Sequence, residues 1–276
     1  MPISPTHLAT ASDPVDRSAY TAGPFTPESN RLVLAAVTNT RGVATADTPT
    51  LSGNGLTWVQ IATVLYDSVA SPKWRLTLFR AMGSSPTQGA VTIDFAGSVQ
   101  TGCQWSFVEF ANVDIGGTDG SAAIVQSATA ASVTDRDATF ASLAAFSDSG
   151  NGAFGGFAHV TAEASAPGAG FTEIGDSILT GPPNAALETE WRVDPDTSVD
   201  ASWATAARCA GIAVEIKTVL IHTLKLVKDG VNLIVVNTET QGAVSGDAWD
   251  PLQLVEDQIQ VERGTLLDAG SHRGYE

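Results

Sequence analysis

The chain has 276 residues, and its 30 acidic and 14 basic side chains give a formal charge of −16. That charge repels a polyanion over most of the surface, so nucleic acid is not an expected partner. With 43% hydrophobic and 16% charged residues the composition is globular, and runs such as Leu32 to Val37 are far shorter than the roughly 20 residues a membrane helix needs, so no membrane partner is expected.

Thirteen prolines, 26 glycines and abundant Ala, Ser and Thr suit short strands joined by turns, and no long helical period interrupts them. Residues 1–30 carry five prolines, which favours an extended N-terminal arm. The segment opening Met-Pro-Ile-Ser-Pro-Thr has neither a basic region nor an apolar stretch, so no secretory signal peptide is expected there. Leu32 to Thr38 is apolar on both faces, the mark of a strand central in a sandwich.

After a Gly/Thr/Pro loop, Gly53-Asn54-Gly55 is a strong turn signal. It leads into four strand-like runs, Thr57 to Tyr66, Trp74 to Met82, Ala90 to Phe95 and Cys103 to Phe110, which form the expected core. Further strands are predicted at Ala122 to Ala128, Ala138 to Leu143, Ala153 to Val160, Phe171 to Asp176, Leu187 to Val193, Val199 to Ala204 and Cys209 to Lys217. The fold class is therefore all-β: a two-sheet antiparallel β-sandwich, jelly-roll-like, over residues 31–217.

Residues 218–276 read as an assembly region. Val219 to Val227 and Val231 to Val236 flank Lys228-Asp229-Gly230, a hairpin signal. So apolar a hairpin is not stable bare in water, and Leu220, His222, Leu224, Leu226, Leu233 and Val235 are its expected interface residues. Asp250-Pro251 begins a predicted short helix through about Gln258, followed by a polar tail.

No catalytic constellation is expected. Gly175-Asp176-Ser177-Ile178-Leu179 resembles the Gly-Asp-Ser-Leu signature of a serine esterase family, but it lies in an all-β context, and the nearest downstream candidate pair, Asp268 with His272, has the wrong spacing and lies in a tail. A strand end followed by a turn accounts for it. Asp194, Asp196 and Asp200 share one loop and offer hard oxygen ligands, so a Ca²⁺ site is one reading; Asx turns are the other. No other cofactor is expected.

The four histidines stand at no metal-ligand spacing, and Glu188 and Glu190 share one strand face that is expected to be solvated. Trp58 and Trp74, near strand starts, are the candidates for stacking on a glycan. Cys103 and Cys209 read as small buried hydrophobes, with one bridge as the alternative should their strands be neighbours.

Several of these stretches belong together: Gly53 to Val59, Leu78 to Met82 with Gly89 to Ile93, Val108 to Phe110, Thr189 to Arg192, Val199 to Trp203 and Ala210 to Lys217. They resemble a β-sandwich module of tailed-bacteriophage virion structural proteins over about residues 18–217. The resemblance implies a virion protein assembled in the host cytoplasm, a capsid decoration or tail-associated component whose partners are other virion proteins or its own copies. The alternative is a carbohydrate-binding adhesin that grips a cell-surface glycan, with Ca²⁺ held by the Asp loop.

Overall fold

The structure, a computed structural model, describes residues 2–42, 44–66, 73–132, 141–181, 183–219, 224–229 and 232–237. The chain divides into two compact units, a body of residues 1–220 and a second unit of residues 221–276.

The body is built in layers, beginning with a five-stranded antiparallel sheet made by β1 (Ser4–Asp13), β3 (Leu32–Thr40), β5 (Val59–Tyr66), β6 (Trp74–Ala81) and β8 (Gly102–Ala111), in the order β1-β8-β3-β6-β5. A three-stranded sheet, β2 (Ala19–Phe25), β4 (Thr50–Gly53) and β7 (Gly89–Asp94), is ordered β2-β7-β4. The second five-stranded sheet, ordered β13-β14-β11-β17-β9, comprises β9 (Ile124–Ser132), β11 (Gly152–His159), β13 (Thr172–Leu179), β14 (Ala185–Arg192) and β17 (Cys209–Ile216). Two short pairs complete the body: β10 (Ala141–Ser142) with β15 (Ser198–Val199), and β12 (Ala166–Pro167) with β16 (Ala201–Ser202). The chain finishes the first two sheets before it begins the third.

Three apolar cores hold these layers together. Leu34, Leu76, Leu78 and Phe110 of the first five-stranded sheet meet Phe154, Leu187, Ile212 and Val214 of the second. On the other face of the first sheet, Val37, Phe79, Trp105 and Phe107 meet Tyr20, Val91 and Ile93 of the three-stranded sheet. On the outer face of the second sheet, Phe157 and Ala213 are covered by Leu143, Phe171, Val199 and Trp203. Strands covered on both faces must be apolar at odd and even positions alike. All nine residues of β3 are buried, with Leu34 and Ala36 in one core and Ala35 and Val37 in the other. The all-β sandwich expected from the sequence is present, with a three-stranded sheet layered onto it.

Residues 1–30 differ from the expected arm. They are extended, but β1 pairs along its length with β8, β2 pairs with β7, and Ile3 and Tyr20 are core residues. The prolines that suggested an arm sit where a sheet tolerates them. Pro5 lies on an edge strand and Pro24 at the register shift between Ala22 and Phe25, positions that need no ladder N–H. The boundary expected at residue 30 therefore falls inside the folded body.

Cys103 and Cys209 lie in different cores and form no disulfide.

In the second unit, β18 (Leu224–Asp229) and β19 (Asn232–Asn237) pair antiparallel, with Leu226 opposite Val235 and Lys228 opposite Leu233. This is the hairpin expected from Lys228-Asp229-Gly230, and its register gives Leu224, Leu226, Leu233 and Val235 the same parity. Leu220 and His222, the helix expected at 250–258 and the polar tail lie outside the described residues.

Candidate functional site

Polar side chains buried between the layers are where chemistry would concentrate, because an unmatched polar group in such a place costs free energy. Between the two five-stranded sheets run Gln104 and Ser106 of β8 and Thr189 of β14. Gln104 Nε2 donates to Ser177 Oγ at 3.0 Å and to the Ser177 carbonyl at 2.6 Å, and the Ser106 and Thr189 hydroxyls meet at 2.7 Å. Ser177, the serine of the esterase-like motif, thus sits within β13, not at a strand end. Its hydroxyl faces an amide, which supplies no general base, so it serves to join the sheets.

The outer face of the second sheet holds a cluster of carboxylates. Glu188 and Glu190 occupy alternate positions of β14, and Asp176 of β13 stands opposite Glu188. Both glutamates are fully buried, contrary to the solvated face expected from the sequence. Alternation predicted their common side, but that side is roofed by residues distant in sequence, among them Phe171, Val199 and Trp203.

Glu190 accepts a bond from the Gly168 amide at 2.8 Å, while neither oxygen of Glu188 has a hydrogen-bond partner among the described residues. Burial is the main cause that pushes the Glu190 carboxyl up to about 8 and Asp176 up to about 6. Burial, reinforced by the neighbouring acid Glu190, holds Glu188 well above the usual carboxylate range. At about 8, Glu190 keeps its proton at neutral pH. Glu215 is equally buried but accepts from Gln126 and Asn151 at 2.6 Å each and from Ser147, so both of its oxygens are matched by donors.

His159 of β11 is also fully buried and stacks on Trp203, with ring centroids 4.5 Å apart. Thr161 donates its hydroxyl hydrogen to Glu163 at 3.0 Å and so receives the His159 Nδ1–H at 2.6 Å. That assigns Nε2 as the acceptor for Ser165, 3.1 Å away. Burial lowers the imidazole to about 4, which keeps it neutral. A serine hydrogen-bonded to a histidine is the geometry of an activated nucleophile, yet His159 is enclosed and Ser165 nearly so, leaving a substrate carbonyl no approach. The network fastens residues 160–165 to the sheet.

The candidate Ca²⁺ ligands are not brought together. Asp196 binds Arg192 at 2.7 Å and caps the Ser198 amide, and Asp200 lies beside Gly168. Among the described residues no three His, Cys, Asp or Glu side chains are grouped to hold a metal ion. The Asx-turn reading of Asp196 accounts for its place in the sequence.

Trp58 is half-buried, packs edge-on against Phe107 at 5.6 Å and donates Nε1–H to the Gly53 carbonyl. Trp74 is buried against Tyr66, but it forms a wall of an open groove of about 620 Å³ shared with Val160, Gly181, Pro183, Asn184 and Arg208.

The buried carboxylates and the His159 network escape sequence reading because each depends on cover from distant strands; a polar residue at a core-parity position is the only local signal. The chain matches no known family model, curated protein or solved structure. What fold and side-chain geometry define is a layered β-sandwich in which Ser177, His159 and Glu215 are engaged within the body.

Proposed function

We propose that the protein is a non-enzymatic structural component of a tailed-bacteriophage virion, a capsid decoration or tail-associated part. The body is displayed, and residues 221–276 attach it to other virion proteins or to further copies of itself. The observation that carries this reading is the second compact unit, in which a two-stranded hairpin collects Leu224, Leu226, Leu233 and Val235 at one parity. A lone hairpin of this composition gains stability only by packing on something else. The likeness of residues 18–217 to virion sandwich modules supports the same reading, as does the engagement of Ser177, His159 and Glu215 inside the body.

The test compares the solution mass of the full chain with that of a version ending at Leu220. That cut keeps the bonds from the Thr218 amide to Asn151 and from the Val219 amide to Asn112. The full chain is expected to form the larger assembly, with the shortened protein still folded. Equal masses overturn the attachment role.

The second reading is a glycan-binding sandwich. It is favoured by the groove in which Trp74 lies beside Asn184 and Arg208, since sugar sites combine an aromatic wall with polar groups. A glycan array answers it, with binding lost in Arg208→Ala as the supporting result and no binding as the opposing one.

A further inference from the structure

Two loops cover the outer face of the second five-stranded sheet, residues 160–171 between β11 and β13 and residues 193–208 between β14 and β17. The β12 and β16 pair and a bond from the Thr205 amide to Glu163, 2.9 Å long, tie the loops to each other. They bring Phe171, Val199 and Trp203 onto an apolar face that holds Phe157, Ala213 and Cys209.

The first loop is fastened to the sheet through acids. The Ser165 amide bonds Asp176, and the Gly168 amide bonds Glu190 at 2.8 Å. Beside them lies the fully buried Glu188. Both oxygens of Glu188, Oε1 of Glu190 and Oδ1 of Asp176 have no hydrogen-bond partner among the described residues. The charges that act on the three carboxyls come from one another and from Glu173, Asp196 and Asp200, all acidic. Opposite the two glutamates β11 places Phe157 and Gly155, and its His159 is neutral and held by Thr161 and Ser165. Of the basic residues nearby in the chain, Arg192 is bound to Asp196 and Arg208 lines the groove beside Trp74.

We propose that these two loops form a lid that opens when Glu188, Glu190 and Asp176 ionise, uncovering the apolar outer face of the second sheet while the other two cores stay closed. The reason is solvation. A neutral carboxyl loses far less by burial than a charged one, so the three acids can remain under the lid while they keep their protons. As carboxylates with only acids acting on them they need water, and in a packed layer water reaches them when the cover moves. The lid is the part able to move. It is joined to β10 by a ladder of two residues, β10 with β15, whereas β11 pairs along its length with β14 and β17. Because burial raises these carboxyls, closure is favoured at low pH and lost as pH rises toward the folded value of Glu190, about 8. The device is separate from the attachment assigned to residues 221–276, so either can fail without the other.

The two cysteines of the chain report on it, because buried Cys209 lies under the lid and buried Cys103 in the core against the three-stranded sheet. The experiment labels the full chain with an alkylating reagent at pH 6 and pH 9 and reads each site by peptide mass spectrometry. Each rate is divided by that of an unfolded peptide at the same pH, which removes the thiol's own titration. Opening gains about tenfold per pH unit until Glu190 ionises under the lid, so the corrected Cys209 rate is expected to rise about a hundredfold and to exceed that of Cys103 at both pH values. In Glu188→Gln/Glu190→Gln, which keeps the shape without the ionisation, the Cys209 rate is expected to change by no more than about threefold, the share left to Asp176. If Cys103 reacts as fast as Cys209 in that variant, its fold is lost and Glu190→Gln alone is read, with a smaller rise than the wild type expected. A wild-type Cys209 rate that is the same at both pH values, wild-type cysteines that react together as in global unfolding, or a folded variant that rises as steeply as the wild type overturns the proposal.

Discussion

Asp176 and Glu188 stand opposite one another on neighbouring antiparallel strands, and the charges that act on the pair are all acidic: Glu173 on Asp176, and Glu190, Glu173 and Asp176 on Glu188. A buried carboxyl without a cation survives by keeping its proton, so this part of the fold is sensitive to alkali.

The sign follows from linkage. Burial raises the folded carboxyl of Glu190 from 4.5 to about 8, and that of Asp176 from 3.8 to about 6. The stability from their protonated forms is complete below the unfolded values and is lost as pH rises through the folded ones. The thermal midpoint should therefore fall between about pH 4.5 and pH 8 and level off above it. Glu190→Gln, which keeps the shape without the ionisation, should flatten that fall and raise the midpoint at pH 8.5 by several degrees, at about 2–4 °C per kcal/mol for a chain of this size. A variant that falls as steeply as the wild type contradicts the assignment.

His159 gives the opposite limb. Burial lowers its folded value from 6.5 to about 4, so the stability it confers is present above pH 6.5 and lost as pH falls toward 4. A His159→Gln chain is expected to be about 1–3 kcal/mol less stable at pH 7, through the lost stacking on Trp203 and hydrogen bonds, and to show a shallower acid limb. Chemical denaturation across pH 4–7 measures both effects.

Ser177→Ala separates a structural from a catalytic serine. It removes the hydroxyl that accepts from Gln104 Nε2 but leaves the carbonyl bond of the same amide in place. The expected loss is about 1 kcal/mol, the scale of one intramolecular hydrogen bond. Hydrolysis of an activated ester by wild type and variant should be the same; a drop confined to the variant would restore the esterase reading.

The sequence exposes those parts of the fold that depend on neighbours along the chain. Leu32 to Thr38 reads as a strand covered on both faces because apolar residues fill both parities, and β3 has that environment. The hairpin around Asp229 is legible for the same local reason. Residues 1–30 are misleading because proline density argues against sheet, whereas an edge strand or a bulge absorbs a missing N–H without loss. Glu188 and Glu190 show the other limit. Alternation gives the side they face, but what covers that side arrives from Phe171, Val199 and Trp203, and no local pattern announces it.

The Gly53-Asn54-Gly55 turn supplies the last prediction. The dipeptide signal is local, and both Asn54 and Gly55 adopt positive φ, 56° and 65°. What the signal does not disclose is the reach of the side chain. Asn54 Nδ2 donates to the carbonyls of Phe25, Thr87 and Gly89 at 3.0–3.1 Å, tying the end of β2 and the entry to β7 to the turn. Asn54→Ala removes that donor from a buried site and places a residue poorly suited to the left-handed region there. Asn54→Gly relieves the backbone but also lacks the amide. If the side chain dominates, both variants lose about 2–3 kcal/mol, and if backbone strain dominates only Asn54→Ala does. Loss of the amide that reaches three carbonyls outweighs one strained residue, so urea denaturation should place the two variants within about 1 kcal/mol of each other and both well below the wild type.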